Sequence, residues 1–135
     1  MVEKSEVDKL NKADADKVVF HERYPSRRLL DLIANRWTPI VLFCLASGTH
    51  HYGQMHRRIP GISKKMLSQV LRKLEADGII HREVYRVVPP KTEYELTELG
   101  RKVYEPVRTL CDWAVENAEV FEQIERNRSA ASASR

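Results

Sequence analysis

The chain has 135 residues, 42% of them hydrophobic and 31% charged, and a formal net charge of +4. This composition is typical of one globular domain with a modest core, and the longest apolar run, residues 40–46, is far shorter than the ~18 residues of a membrane span. The first residues, MVEKSEVDKLNK, contain no apolar secretory segment and the two cysteines form no disulfide framework, so we expect a cytoplasmic protein.

Positive charge is concentrated in the middle of the chain. Residues 50–91 hold nine Lys and Arg against three Asp and Glu, whereas residues 92–135 hold six against nine. A concentrated basic segment on an ordered fold favours a polyanionic partner over a general role in solubility.

The first third of the chain predicts two helices after a polar start. Residues 1–17 are mixed in charge and are expected to be a frayed helix or disordered. A first helix is predicted to begin near residues 24–26, with Ser26 as its cap. A second is predicted from Thr38, a capping residue that precedes a proline, to the stop at Gly48. This second helix is apolar all round, which predicts that it forms the centre of the core.

A third helix is predicted over YGQMHRRI, residues 52–59. Its apolar residues are three and four positions apart, which is the spacing of one buried helical face. Pro60 and Gly61 then break the helix. The predicted buried residues are Tyr52, Met55 and Ile59.

A fourth helix is predicted within GISKKMLSQVLRKLEADGII, residues 61–80. Ser63 is suited to cap its start and Gly78 to cap its end. Asp77-Gly78 is also typical of a hairpin turn, but the preceding residues have helical spacing. The apolar positions that form a single stripe are Leu67, Val70, Leu71 and Leu74.

After Gly78 the sequence changes to β-branched and aromatic residues. IIHREVYRVV and TEYELT predict two strands joined by a loop at residues 89–91 (PPK), where prolines interrupt strand pairing. Thr97 is predicted to cap a long C-terminal helix in which Pro106 produces a kink or a break. The last residues, SAASASR from 129 to 135, are expected to be disordered.

Helix, short turn, helix and two-stranded hairpin is the order of a winged helix-turn-helix. We therefore predict a mainly α fold with a small β-hairpin wing, residues 24–100 forming this domain. A B-DNA major groove is about 12 Å wide and accepts one α-helix, and the second helix of the pair is the one that enters it. The basic helix after Ser63 is the candidate for this position.

The side of this helix opposite its leucines is polar and basic. In the simpler interpretation this face is only exposed to solvent. The excess of basic residues over 50–91 and the wing that follows favour contact with DNA instead. Gln is suited to adenine, and Arg or Lys to guanine. Basic wing residues would contact phosphates or the minor groove, or would only prevent edge pairing of the hairpin. The predicted DNA-binding residues are Ser63, Lys64, Lys65, Ser68, Gln69, Arg72, Arg82, Arg86 and Lys91.

Four pieces of sequence within residues 36–113 together resemble one protein family. They are RWTPIVLFCL, GISKKMLSQVLRKLEADGII, REVYRVVPPKTEYELTELG and the tryptophan of LCDWA. The combination resembles the HxlR-type winged-helix regulators of bacteria, which are relatives of MarR-like proteins. The resemblance implies a homodimeric transcription regulator, most often a repressor, that binds an inverted-repeat operator in double-stranded DNA. It also implies a dimer interface formed by an N-terminal arm, residues 1–23, and C-terminal helices, residues 101–128.

The chain departs from this family at the start of the domain. Many members have a cysteine before a proline near the N-terminus, where it senses oxidants or electrophiles, whereas Tyr24 precedes Pro25 here. The sensing mechanism is therefore not transferred to this chain. In addition, residues 34–36 (ANR) replace a Gly-Gly-Lys, and residues 51–52 (HY) only weakly match an Arg-Phe pair.

The remaining reactive residues indicate no other class of site. Cys44 lies within the apolar helix and is expected to act as a small hydrophobic residue, while an intersubunit disulfide at Cys111 stays open. The histidines lack metal-ligand spacing, no cofactor is expected, and no catalytic motif indicates an enzyme. A small-molecule effector also stays open, as does the alternative of a winged-helix protein–protein interaction module without specific DNA binding. That alternative would require apolar or mixed residues on the outward helix face.

Overall fold

Helices and a short antiparallel sheet account for the part of the chain that the structure describes. The computed structural model describes residues 21–134, so the predicted N-terminal arm lies almost entirely outside it. Helices α1–α6 span Pro25–Ile33, Trp37–Ala46, Tyr52–Arg58, Lys64–Ala76, Glu98–Glu116 and Ala118–Ala133, and strands β1–β3 span His50–His51, Ile80–Tyr85 and Lys91–Leu96. This order confirms the predicted winged helix-turn-helix with a hairpin wing.

Helix α2 lies at the centre of the core, as its apolar composition predicts. Its Val41 and Leu42 side chains are fully buried, and they belong to one hydrophobic cluster with Ile80 and Leu96 of the sheet. Burying such side chains contributes about 1.5–3 kcal/mol each. The whole predicted stripe of α4 is buried in the same core: Leu67, Val70, Leu71 and Leu74.

Two predicted helix starts are wrong by one or two residues. Ser26 is the second residue of α1, not its cap, because Pro25 occupies the first helical position, for which its fixed φ is suited. Helix α2 begins at Trp37 with Arg36 as its N-cap residue, and the Trp37 N–H donates to Asn35 Oδ1 at 2.8 Å. Thr38 instead lies inside the helix and is only 4% exposed.

The ends of α4 are formed as predicted. Ser63 Oγ accepts a hydrogen bond from the Met66 N–H at 3.0 Å. At the other end Gly78 has a φ of +75°, and the Ile79 N–H donates to the Leu74 carbonyl at 2.9 Å. This is a Schellman ending, which requires a residue that tolerates positive φ. Asp77-Gly78 therefore ends a helix and does not turn a hairpin.

Strands β2 and β3 pair antiparallel, with Ile80 opposite Leu96 at one end and Tyr85 opposite Lys91 at the other. The first strand was predicted to reach residue 88, but pairing ends at Tyr85, and residues 86–90 form the loop. A two-residue strand that the sequence does not predict, β1, adds to the free edge of β3. The wing is thereby joined to the start of α3.

The C-terminal region differs from the prediction in two ways. Helix α5 continues through Pro106 without a break, and the break falls at Asn117, whose φ and ψ are −120° and 39°. The Asn117 Nδ2 donates to the Trp113 carbonyl at 2.9 Å, which satisfies a carbonyl at the end of α5. Helix α6 extends to Ala133, so disorder from residue 129 is wrong; alanine favours helix strongly enough to continue it. The predicted boundary between residues 100 and 101 falls within the first turn of α5.

Within residues 21–134 no single helix is both long and apolar enough to cross a membrane. Only α1 and α2 taken together meet the length and composition of a span, and they are bent by 88° relative to each other.

The close approach of α5 to Ile79, the residue before β2, generates a prediction about Gly100. A Cβ on this residue would overlap the backbone carbonyl oxygen of Ile79. Gly100→Ala should therefore destabilise the protein by about 1–3 kcal/mol, even though alanine is the better helix former. The measurement is the free energy of unfolding from denaturant titration.

Gly53→Ala in α3 is the matched control. There a Cβ would meet only the mobile end of Arg57, at 3.2 Å. This variant should be neutral or stabilised by up to about 1 kcal/mol. Equal effects at the two positions would contradict the packing argument.

Candidate nucleic-acid interface

The outward face of α4 is a polar and basic surface of the helix-turn-helix. Lys64, Lys65, Gln69 and Arg72 are exposed, while the stripe opposite them is buried. The first turn of α4 contains no acidic residue, so the positive end of the helix dipole adds to the lysine charges. The structure thus places four of the predicted DNA-binding side chains on one accessible helix face.

Ser63 and Ser68 differ from these four residues because their hydroxyls already have partners. Ser63 Oγ caps the helix. Ser68 is partly buried, and its Oγ lies 3.1 Å from the Tyr52 hydroxyl, which also donates to the Lys64 carbonyl at 2.9 Å. Since a phenol has one hydrogen, Ser68 must donate to Tyr52 Oη in this arrangement. Ser68 is therefore held against α3.

Tyr52 is a residue whose role the sequence interpretation missed. It was assigned to the buried face of the third helix, and its ring does pack against the core. Its hydroxyl, however, joins α3 to the first turn of α4. The signal was the residue type: a tyrosine on an apolar face carries a polar end that normally finds a partner.

The three basic wing residues occupy two different environments. Arg86 and Lys91 lie at the distal end of the hairpin, are exposed, and form no ion pair with residues 21–134. Arg82 is on the side of the wing facing α4, where its Nε lies 3.4 Å from the Glu75 carboxylate. The structure therefore does not bring all three together as one set of free cations.

A cleft of about 330 Å³ separates the wing from α4. Tyr94, which is opposite Arg82 across the β2–β3 pair, forms part of its wall and is buried. Burial raises the pKa of the Tyr94 hydroxyl, and the Arg82 guanidinium partly opposes that rise. The cleft is lined by Ser68, Leu71, Arg72, Glu75, Arg82 and Tyr94.

The other face of the wing is acidic. Glu83 and Glu93 are directly opposite each other, and His81 Nε2 lies 2.9 Å from the Glu83 carboxylate. The Glu93 carboxylate raises the pKa of the nearby Tyr85 hydroxyl. Carboxylates repel phosphates, so a polyanion would approach the wing from the α4 side.

Arg58, at the end of α3, contacts residues that follow α2 and does not belong to the outward face of α4. Arg58 Nη1 donates to Ser47 Oγ at 2.6 Å and to His50 Nε2 at 2.8 Å. Because Nε2 accepts, His50 carries its proton on Nδ1, which donates to the Gly48 carbonyl at 2.8 Å. This network closes the end of α2 and anchors β1.

Neither cysteine is part of the outward face of α4. Cys44 is buried in α2 and Cys111 is exposed on α5. Burial raises the pKa of the Cys44 thiol, and Arg58 only partly opposes this, so Cys44 has the environment of an unreactive core residue. No three His, Cys, Asp or Glu side chains in the described part of the chain are grouped to hold a metal ion.

Comparisons with known proteins agree with this architecture. The family described as HxlR-like helix-turn-helix matches residues 32–122. The uncharacterized HTH-type transcriptional regulator YtfH of Escherichia coli K12 is 46% identical over 95 residues, covering 70% of this chain and 75% of YtfH. YybR of Bacillus subtilis 168, also an uncharacterized HTH-type transcriptional regulator, is 41% identical over 106 residues, covering 78% of this chain and 85% of YybR.

A solved structure is similar over most of the described fold. It is that of ytfH from Salmonella typhimurium, a proposed transcriptional regulator, with a TM-score of 0.69 and 42% sequence identity. The match covers 79% of this chain and 96% of that one.

The hydrogen bonds of Tyr52 generate a prediction. Tyr52→Phe removes the hydroxyl that joins α3 to α4 and should lower the free energy of unfolding by about 0.5–1.5 kcal/mol. Thermal and denaturant unfolding measure this. Tyr104→Phe is the control, since the Tyr104 ring packs edge-on against Phe43 and its hydroxyl bonds to none of residues 21–134. A loss in the control as large as that in Tyr52→Phe would show that the hydroxyl bonds are not the cause.

Proposed function

The chain belongs to the HxlR-like helix-turn-helix family of transcriptional regulators, and we propose that it binds an operator in double-stranded DNA sequence-specifically, as a homodimer. One observation carries the proposal: α4 is capped at both ends, buried on one side and basic and polar on the other, beside a wing. This is the form in which a helix enters the major groove.

The base contacts are proposed to come from the middle of α4. Gln69 is exposed and is suited to pair with adenine, while Lys65 and Arg72 are suited to guanine. Lys64 and Ser63 lie at the start of the helix, where DNA backbone contacts are common. Ser68 can accept a hydrogen bond from a DNA base but cannot donate one, because its hydroxyl hydrogen is directed to Tyr52.

The wing is proposed to contact the DNA backbone or the minor groove through its distal end. Arg86 and Lys91 are both exposed there: Arg86 is the first residue of the loop, and Lys91 is the first residue of β3 after it. Such contacts strengthen binding to every sequence and make it salt-dependent, since each neutralised phosphate releases counterions.

An exposed apolar surface on α5 and α6 supports the homodimer. Trp113 and Phe121 contact each other edge-on at a centroid distance of 6.1 Å, and further apolar side chains lie three residues from each of them. Exposed apolar groups at this density normally mark an interface. The surface consists of Leu110, Trp113, Val120, Phe121 and Ile124.

A two-fold dimer has a direct consequence for the operator. It places two copies of α4 about one DNA turn apart, roughly 34 Å, so the site is expected to be an inverted repeat. The protein is proposed to act as a repressor in the cytoplasm, where such operators lie in bacteria. A small-molecule effector between the DNA-binding core and the dimer helices is compatible with this arrangement.

Selection from random duplexes at two salt concentrations tests the proposal. Enrichment of one inverted repeat with half-sites about one turn apart is the expected result. Salt-sensitive binding without an enriched sequence would favour a non-specific role in DNA organisation. Absence of binding at both salt concentrations would favour the protein–protein interaction module.

Gln69→Ala tests the assignment of the helix face. The variant should lose discrimination at one base pair of the selected operator, at a cost of about 1–3 kcal/mol, while its affinity for non-specific DNA is retained. Fluorescence anisotropy against operator variants measures this. Gln123→Ala on α6 is the matched control and should leave discrimination unchanged. Unchanged discrimination in Gln69→Ala would show that Gln69 does not contact a base.

Trp113→Glu tests the dimer. A carboxylate in the apolar surface should shift the protein from a dimer towards its 15.7 kDa monomer. Sedimentation equilibrium measures the mass. Val115→Glu is the control, because Val115 is 79% exposed, compared with 50% for Trp113, and lies on another face of α5. Dissociation by both substitutions, or by neither, would contradict the proposed surface.

A further inference from the structure

Arg82 and Glu75 connect two elements that both face the proposed DNA site. Glu75 lies near the end of α4 and Arg82 lies in β2, and their charged groups are 3.4 Å apart. Both side chains are partly exposed, at 39% and 46%. The pair spans the cleft between helix and wing and does not project from it.

The surroundings of Arg82 limit where its guanidinium can lie. Tyr94, its buried cross-strand neighbour, is on the same face of the hairpin, and the Arg82 guanidinium opposes the rise in the pKa of the Tyr94 hydroxyl. Leu71 of the core stripe and Tyr94 form the apolar part of the cleft lining. The guanidinium thus shares one cleft with the Glu75 carboxylate and the Tyr94 ring.

We infer that the Glu75–Arg82 ion pair fixes the angle between wing and recognition helix, so that Arg82 is a positioning residue and not a phosphate contact. This rests on the proposed function, since the angle matters only if both elements touch one DNA molecule. It reassigns one of the nine predicted DNA-binding residues.

The charges around Arg82 favour a positioning role over a phosphate contact. A phosphate placed at this guanidinium would also meet the Glu75 carboxylate, whose repulsion offsets the attraction. Arg72 lines the same cleft and Lys91 lies at the wing end, and neither forms an ion pair with any residue in the described range. Arg82 is therefore the cation among these three whose charge is already paired with a carboxylate, and Arg72 and Lys91 are better placed to meet a phosphate.

Glu75→Gln gives opposite results under the two roles. If the Glu75 carboxylate only repels DNA, its removal should tighten binding. The gain should be larger if the removal also leaves Arg82 available to a phosphate. If the pair positions the wing, binding to the selected operator should instead weaken by about two- to five-fold. Glu95→Gln, on the acidic face of the wing, is the matched control and should leave affinity equal or slightly higher. Tighter binding by Glu75→Gln would overturn the inference.

The salt dependence of Arg82→Gln provides a second readout. A lost phosphate contact reduces the slope of log affinity against log salt by about 0.9, whereas a lost positioning contact should leave the slope unchanged. The reversed pair Glu75→Arg with Arg82→Glu should recover the affinity lost by Arg82→Glu alone. A reduced slope, or no recovery in the reversed pair, would contradict the positioning role.

Amide hydrogen exchange on the free protein separates this inference from the proposed function. Exchange across Ile80–Tyr85 should accelerate in Glu75→Gln and not in Glu95→Gln, with the α2 core unchanged in both. Unchanged exchange would overturn the inference even if the wild-type chain binds an operator. Faster exchange in a chain that binds no DNA would overturn the proposed function and leave the ion pair as the link that holds the wing.

Discussion

Burial of the leucine stripe of α4 against α2 is the constraint on which the rest of the structure depends. The stripe recurs with the period of a helix, and its burial leaves no choice about which residues face outward. Ser63 and Gly78 then fix the length of the helix at its two ends. An accessible basic face is therefore a consequence of how the core is filled, and its position does not depend on any contact that the basic side chains make.

The basic residues of the middle segment are not equivalent, although they contribute equally to its charge. Arg58 closes the end of α2, and Arg82 is paired with Glu75. Lys64, Lys65 and Arg72 are exposed on α4, where no acidic residue of its first turn opposes them. Acidic residues are instead on the far face of the wing, around Glu83 and Glu93. The domain therefore has a basic side, formed by α4 and the cleft, and an acidic side on the far face of the wing, and a polyanion is attracted to the basic side.

The sequence predicted the features that depend on local rules and missed those that depend on distant partners. Periodicity and capping chemistry were sufficient for α4, Ser63 and Gly78, and β-branched and aromatic residues on either side of a proline loop were sufficient for the wing. The strand β1 was missed because two histidines have no strand signal, and they pair only because β3 has a free edge beside them. A break was expected at Pro106 because a proline is a strong local signal, whereas α5 continues through it, the next residue Val107 is buried, and the helix ends at Asn117. Tyr52 and Arg82 were assigned by residue type, and their hydrogen-bond and ion-pair partners are 12 and 7 positions away.

Helix α4 is held near both ends by polar contacts that do not involve its outward face. At its start the Tyr52 hydroxyl bonds to the Lys64 carbonyl and to Ser68, and near its end Glu75 bonds to the wing. The leucine stripe sets the rotation of the helix about its axis, but apolar contact is not directional and tolerates small shifts along that axis. Hydrogen bonds are directional, and an ion pair weakens as its charges separate, so both kinds of contact restrict such shifts. A base contact has to be placed within a fraction of an ångström, so the sequence discrimination proposed for this helix would depend on contacts that lie away from its outward face.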